Sequence, residues 1–372
     1  MKRTWIEVMG VFGLFLCLLA AVARPQPASP QKDQADFNRL VDEFFDDHFR
    51  HSPTAATAAG VHDFDNQLED YSQAEVEARI VGFKRFAALF DRIDPNRLER
   101  DTAGDRELVM SHIRAKLLEL EVTRPWEKEP DRYGSGITQS VFVIMSRKFA
   151  SAEDRLRSVV ARERQMPRVF DHARRNLKNP PRIYTEIALE QLPGMIGFFH
   201  DDVPAAFADV GDKQLLAEFQ DANQAVIDAL AAYEGFLKND LLPRSNGDFR
   251  LGADHYRQKL LYEELVDIPL DRLLEIGSRD LRANQESFQR TAAKLDPQRQ
   301  PAEILADLER DHPAPDQLLE SFRQVLEGLR QFITEHKIVT IPSQVPPLVR
   351  ETPPFMRALS FASMDTPGPF ET

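Results

Sequence analysis

Histidine and aspartate side chains with the spacing of metal ligands occur together early in the chain. His48 and His51 share a helix face with Asp47, because residues three and four apart lie on the same side of a helix. Such a face can contribute to a zinc site, but a zinc ion needs three or four convergent ligands, and no fourth lies nearby in the sequence. A polar helix end that faces water explains these residues better.

A second acidic segment begins like a calcium-binding loop at His62-Asp63-Phe64-Asp65. The loop needs a glycine at its sixth position for its sharp turn, and Leu68 stands there. The segment therefore does not predict a calcium site.

Sequence motifs of the common hydrolases and nucleotide-binding proteins are missing. There is no His-Glu-x-x-His, no Gly-x-Ser-x-Gly, no phosphate-binding glycine-rich loop and no dinucleotide fingerprint. Adjacent acids such as Glu263 and Glu264 point about 100° apart on a helix, so they do not form a pair that shares a proton. The residues by themselves indicate no catalytic site.

Apolar residues recur with helical periodicity along most of the chain and predict a mainly α protein, a large irregular helical bundle. The first apolar stripe follows the i, i+3, i+4, i+7 rule and consists of Phe37, Leu40, Val41, Phe44, Phe45 and Phe49. Ser72 with Glu75 predicts a capping box at the start of the next helix. A segment with two glycines, Gly134 and Gly136, is predicted to be a loop.

The second half of the chain continues the helical pattern. Pro167 is expected to kink a long helix that begins after Ser151. Pro181 marks a helix start, and Asp212 opens a strongly amphipathic helix. Further helices are predicted at about 105–122, 253–265, 270–295, 302–310 and 316–335.

The net charge of the chain limits the classes of molecule that it is expected to bind. The chain has 372 residues and a formal charge of −13, and a surface of that sign repels nucleic acid and anionic lipid. We therefore expect no nucleic-acid partner. The sequence leaves the oligomeric state open.

The first 23 residues have the pattern of a secretory signal peptide. Lys2 and Arg3 precede an apolar run at 11–23 that ends in small residues, and this run is shorter than the roughly 20 residues that a spanning helix needs. A retained membrane anchor is the alternative. A lipid-modified cysteine is less favoured, because no small residue precedes Cys17, the one cysteine of the chain. The mature protein, with no thiol and no membrane span, is expected in the periplasm or outside the cell.

The chain changes character at residue 338. Residues 338–372 are rich in proline, which removes backbone donors and fixes φ, so they predict extended structure and edge strands rather than a helix. The predicted organisation is a signal peptide at 1–23, a linker at 24–35, a helical domain at 36–337 and the extended start of an incomplete module at 338–372. If that module is incomplete, Phe355, Met356, Leu359 and Phe361 should be exposed, which would leave the segment mobile or prone to aggregation.

Several phrases together resemble a known family. They are FNRLVDEFFDDHFRHSPTAATAAGVHDFDNQLEDYS, the helix with Arg162, Pro167 and Asn176, LGADHYRQKLLYEELVDIPLDRLLEIGSRDL, and IVTIPSQVPPLVRETPPFMRALSFASMDTPGPF. In this order and spacing they resemble the exported bacterial proteins known as the domain of unknown function 885 family. The resemblance covers about residues 36–372.

The resemblance implies a relation to helical zinc metallopeptidases. The metal motif of such proteins, a His-Glu pair followed by Gly-His and a further acid, lies beyond the phrase matched here by 367–370, so no ligand or catalytic residue carries over to this chain. Zinc is therefore expected only in a complete family member, where peptides would be the substrate. The segment 348–370 would supply an edge for substrate backbone, with Arg350 or Arg357 near an anionic group of the substrate. Ordinary solvated or ion-paired arginines are the simpler explanation.

Two main functions follow. The chain is either the helical portion of an exported zinc-dependent peptidase that lacks the catalytic segment, or a separate non-catalytic exported helical protein that binds a partner or acts as a scaffold. A hydrolase with an unrecognised carboxylate site is a third and weaker interpretation.

Overall fold

The computed structural model describes residues 30–357 and 362–371, and within them the protein is all-α, with no strand. The predicted signal peptide and the first part of the predicted linker lie outside the described residues. The remainder of that linker is already helical, because the first helix begins at Pro30. The first helices are α1 (Pro30–His51), α2 (Pro53–Ala59), α3 (Gln73–Asp91), α4 (Arg100–Leu117), α5 (Pro125–Lys128), α6 (Asp131–Met145), α7 (Ala152–Glu163) and α8 (Met166–Asn176).

The remaining helices are α9 (Arg182–Gly197), α10 (Val203–Ala206), α11 (Lys213–Phe236), α12 (Leu242–Arg244), α13 (Ala253–Glu264), α14 (Leu270–Leu295), α15 (Pro301–Leu308) and α16 (Leu318–Glu335). Three helices, α4, α9 and α11, continue into a π-helical turn at Leu118–Thr123, Phe198–Asp202 and Leu237–Leu241. The helices predicted in the last third of the chain are therefore confirmed, with ends that differ by at most two residues.

One hydrophobic core lies between α1, α3 and α4. Phe37, Leu40 and Phe44 of the predicted stripe are buried there, whereas Phe45 is 42% exposed. The cap predicted for α3 is half confirmed: Oγ of Ser72 accepts the Glu75 N–H at 3.2 Å. The Glu75 carboxylate does not return to the cap, because it lies 2.6 Å from Nδ1 of His51 instead.

A second and larger core is formed by α6 to α11. The long helix α11 packs against α7, α8 and α9, and it buries Leu215, Phe219, Val226 and Leu230. Its N-terminus is capped as predicted, because Oδ1 of Asp212 accepts the N–H groups of Gln214 and Leu215, both at 3.1 Å.

The loop predicted around Gly134 and Gly136 is wrong, since both glycines lie inside α6. They are needed for close packing rather than for a turn. A Cβ atom at Gly134 would lie 2.6 Å from Sδ of Met195, and one at Gly136 would overlap Oη of Tyr71. The contacts that these glycines permit offset their low helix propensity.

The kink predicted at Pro167 is also wrong, because the chain breaks there into two helices. The helix α7 ends at Glu163, and Pro167 occupies the first turn of α8. Proline fits this position because the N–H groups of a first turn have no partner within the helix.

The C-terminal segment is extended as predicted, but none of its described residues pairs into a strand. Proline offers no N–H to a sheet ladder, and the one regular element in the described part of the segment is a 3₁₀ turn at Pro354–Met356. The expected exposure of Phe355 is wrong: this side chain is 5% exposed and packs between Phe142 and Phe198. Met356 also packs partly against the larger core. Leu359 and Phe361 lie outside the described residues.

Candidate functional site

The two arginines predicted to face a substrate lie on the extended segment, and the structure does not bring them together in a cleft. Arg350 is exposed. Arg357 pairs with Glu351 at 3.1 Å and donates a hydrogen bond to the carbonyl oxygen of Thr352. The ion pair of Arg357 is the simpler alternative considered above, and a role of either arginine in substrate binding stays a prediction.

The acidic segment that resembled a calcium loop forms a buried structural network. Oδ1 of Asp65 accepts a hydrogen bond from the Thr57 hydroxyl at 2.6 Å, and Nδ1 of His62 lies 2.9 Å from Oδ2 of Asp65. The fully buried Arg162 reaches the same place. It donates to the carbonyl oxygens of Ser140 and Pro53 and to Oγ1 of Thr57, at 2.6, 3.4 and 2.7 Å. The network joins α2, α6 and α7.

The histidines of α1 belong to a half-buried polar cluster. His48 lies 5.6 Å from the ring of His112 on α4, with the rings nearly perpendicular, and it stacks on Phe44. Burial lowers the pKa of His48 to about 4, with further lowering from His112 and Arg79. Burial also lowers the pKa of His112. Both rings are therefore neutral at pH 7.

A group of three or more metal-ligating side chains does not occur among the described residues. In the cluster, His51 is engaged with Glu75 at 2.6 Å, and Asp47 pairs with Arg85 at 3.4 Å. Two of the three side chains that the sequence offered as a partial metal site, His51 and Asp47, thus have other partners in the fold.

Two cavities flank the His48–His112 pair. The first, of about 210 Å³, lies between α1 and α3, and its lining includes Phe44, His48, His51, Arg79 and Phe83. The second, of about 450 Å³, lies between α4 and the end of α13, and its lining includes His112, Lys116, Glu119, Tyr262 and Glu263.

Glu119 of the second cavity lies between two cations. Glu119 pairs with Lys116 at 2.7 Å and with Arg132 at 3.1 Å. The pKa of Glu119 is lowered on balance, because these cations outweigh the burial that would raise it. The Ser111 hydroxyl donates to the carbonyl oxygen of Tyr262, so it ties α13 to α4.

Apolar residues form an exposed face on each of the two long helices near the end of the chain. On α16 they follow each other at intervals of four and three residues, and all are between 44% and 58% exposed: Leu318, Phe322, Val325, Leu329 and Phe332. On α14 they recur every seven residues, at Leu274, Leu281, Phe288 and Leu295. This is the heptad spacing with which one helix packs against another.

Sequence reasoning missed the clustering of His112 and Arg79 with His48, because they meet only when α3 and α4 pack on α1. It also missed the faces of α14 and α16, although their heptad spacing can be read directly from the sequence. Among the described residues, no helix is both long enough and apolar enough to cross a membrane.

Comparison with known proteins identifies relatives without a known activity. The family described as "Bacterial protein of unknown function (DUF885)" matches residues 53–372. A Shewanella oneidensis structure, described as that of a "putative lipoprotein of unknown function", aligns with a TM-score of 0.67 at 24% identity, covering 85% of this chain and 60% of that one. At this identity the likeness shows the fold alone. No curated protein matches the chain.

The chain thus spans less than two thirds of the length of the Shewanella protein. The family match confirms the resemblance over residues 53–372, which are most of the chain. We conclude that the protein belongs to the DUF885 family of bacterial proteins.

Proposed function

We propose that the chain is the helical portion of an exported zinc-dependent peptidase, and that further polypeptide carrying the zinc ligands packs on the apolar faces of α14 and α16. The observation that carries the proposal is the exposure of these two faces. Nine large apolar side chains at heptad spacing, the residues named above, lie 44–70% exposed. Leaving such surface in water costs about 25 cal/mol per Å².

The kind of partner follows from the geometry of the faces. Heptad spacing matches another helix, so a helical segment would pack on each stripe. The Shewanella relative contains chain that this protein does not match, so a longer form of the fold has polypeptide to place there. Export is supported by the signal-like residues 1–23.

The described residues of this chain do not fit a zinc ion, because no three ligating side chains converge among them. We therefore derive no catalytic step from them. In this proposal the helices of this chain form one side of the peptide-binding cleft. The extended segment with Arg350 and Arg357 lies beside these helices and contacts the peptide.

The test combines the purified chain with the part of the Shewanella protein that it does not match. Alone, the chain should hold less than one zinc ion by elemental analysis and should not cleave peptides. We expect the added polypeptide to form a one-to-one complex, to bring one zinc per complex and to give zinc-dependent peptide cleavage.

Matched variants test whether the added polypeptide binds to the apolar face of α16. Phe322→Ser with Leu329→Ser should abolish the complex, whereas Ile183→Ser, at a 47% exposed residue of α9, should not. Peptide cleavage by the chain alone would overturn the proposal. If the complex forms without zinc or activity, or does not form, the alternative function is favoured, a non-catalytic exported binding or scaffold protein.

A further inference from the structure

The cavity between α1 and α3 combines aromatic walls with several charged groups. Phe44 and Phe83 supply apolar surface, and the volume of about 210 Å³ is large enough for a molecule of the size of benzene. Neither zinc nor the faces of α14 and α16 take part in this cavity, so what it binds is independent of the function proposed above.

The charges that line the cavity are paired with one exception. Asp47 pairs with Arg85, and Nδ1 of His51 lies 2.6 Å from a carboxylate oxygen of Glu75, which is outside the lining. Arg79 lies half-buried over the ring of Phe83, 5.6 Å from its centroid. Its guanidinium forms no hydrogen bond or ion pair with any residue that the structure describes.

Two buried arginines of the fold differ from Arg79 in having hydrogen-bond partners. Arg155 and Arg162 are buried, and each donates to several backbone carbonyl oxygens. Two carboxylates, Glu119 and Glu75, attract Arg79 electrostatically without contacting it. Glu119 forms its ion pairs with Lys116 and Arg132 instead, and Glu75 lies against His51. The guanidinium of Arg79 therefore keeps five unused N–H donors at the cavity wall.

His48 adds a second unused polar group. Its Nδ1 atom is buried and has no hydrogen-bond partner among the described residues. A buried polar atom without a partner costs free energy that a bound molecule can recover. Because the ring is neutral at pH 7, as its lowered pKa shows, it can meet a ligand oxygen without adding charge.

We propose that this cavity binds a small organic carboxylate, with the carboxylate on Arg79 and the apolar part of the molecule against the cavity wall that Phe44, Val81 and Phe83 line. The single unpaired positive charge matches a singly charged anion. A dianion such as sulfate would leave excess negative charge close to Asp47 and Glu75. The planar guanidinium fits a carboxylate through two parallel hydrogen bonds.

Benzoate is a suitable probe, measured by saturation-transfer NMR and by titration calorimetry on the full chain at pH 7. We expect saturable binding of benzoate, no competition from sulfate and no binding of benzamide, which has the same shape without the charge. Arg79→Gln should weaken benzoate binding roughly tenfold or more, as the loss of a hydrogen bond to a charged group implies.

Arg85→Gln is the matched control, because Arg85 lines the same cavity but already has Asp47 as its partner. It should change benzoate affinity less than Arg79→Gln does. The comparison of benzoate with benzamide needs no variant and so stands even if Arg79→Gln does not fold. Equal binding of the two probes, equal affinity in Arg79→Gln, or no saturable binding would overturn the proposal.

Discussion

Glu163 is a carboxylic acid placed in the apolar core without a partner. The residue is 0% exposed, and both of its carboxylate oxygens lack a hydrogen bond among the described residues. Burial raises the pKa of Glu163 well above its ordinary value. The protonated form is therefore the one that the folded protein accommodates.

This burial predicts a specific pH dependence of stability. A carboxyl whose pKa is higher in the folded state stabilises the fold at low pH. That contribution is lost by about 1.4 kcal/mol per pH unit as the pH rises from the unfolded toward the folded pKa. Glu163→Gln removes this loss. The variant should therefore be more stable than the parent at pH 8 and nearly equal to it at pH 5, as measured by urea unfolding.

Glu190→Gln is the control for this experiment, because Glu190 is exposed on α9. It should show no such pH-dependent difference from the parent. A constant difference between Glu163→Gln and the parent from pH 5 to pH 8 would show that Glu163 does not change its protonation on unfolding.

At the scale of elements, the extended segment is attached to the helical body at a second point besides Phe355. The Phe370 N–H donates to the carbonyl oxygen of Ala59 at 2.9 Å. Arg147 holds the same stretch, since it bonds to the carbonyl oxygen of Ala58 and to Glu371. The backbones approach so closely that a Cβ atom at Gly368 would overlap the carbonyl group of Ala59.

Gly368→Ala should therefore loosen residues 362–371. We expect faster amide hydrogen exchange in a peptide covering these residues, measured by mass spectrometry, while the exchange of α11 stays unchanged. Gly211→Ala is the control, because a Cβ atom there would meet nothing within 4 Å. Unchanged exchange in Gly368→Ala would mean that the contact with Ala59 does not hold the segment in solution.

The face of α14 should bind hydrophobic dyes, because exposed apolar patches of this kind attract them. Leu274→Ser with Leu281→Ser changes side chains that are 70% and 57% exposed. The pair should lower the fluorescence of the dye ANS and leave the melting temperature within a few degrees, since surface changes cost little stability. A large fall in melting temperature would instead show that α14 packs its face inward.

For the whole molecule, the charge of −13 opposes the association that the apolar faces favour. Salt shortens the range of this repulsion, from about 10 Å at 0.1 M to about 3 Å at 1 M. Light scattering should therefore show more self-association as NaCl rises, and Phe322→Ser with Leu329→Ser should suppress it. Association that falls with salt would point to ion pairs between copies instead.

The sequence predicted the elements better than it predicted their contacts. Helix starts at Asp212 and Pro181 depend on local capping and backbone geometry, so neighbouring residues suffice to find them. Gly134 and Phe355 were misjudged because their environments come from Met195 and from Phe142 and Phe198, which lie far away in the sequence. The same holds for the site: no local pattern shows that α3 brings Arg79 to His48.

The buried Arg162 has a consequence for which changes the protein tolerates. Two of its three acceptors are main-chain carbonyls, at Pro53 and Ser140, and these remain whatever side chain stands there. Lysine, with one nitrogen, cannot reach acceptors on separate helices as the forked guanidinium does. In a saturation library, position 162 should accept arginine alone, while Ser140→Ala, which keeps the main-chain acceptor, should survive selection for folding.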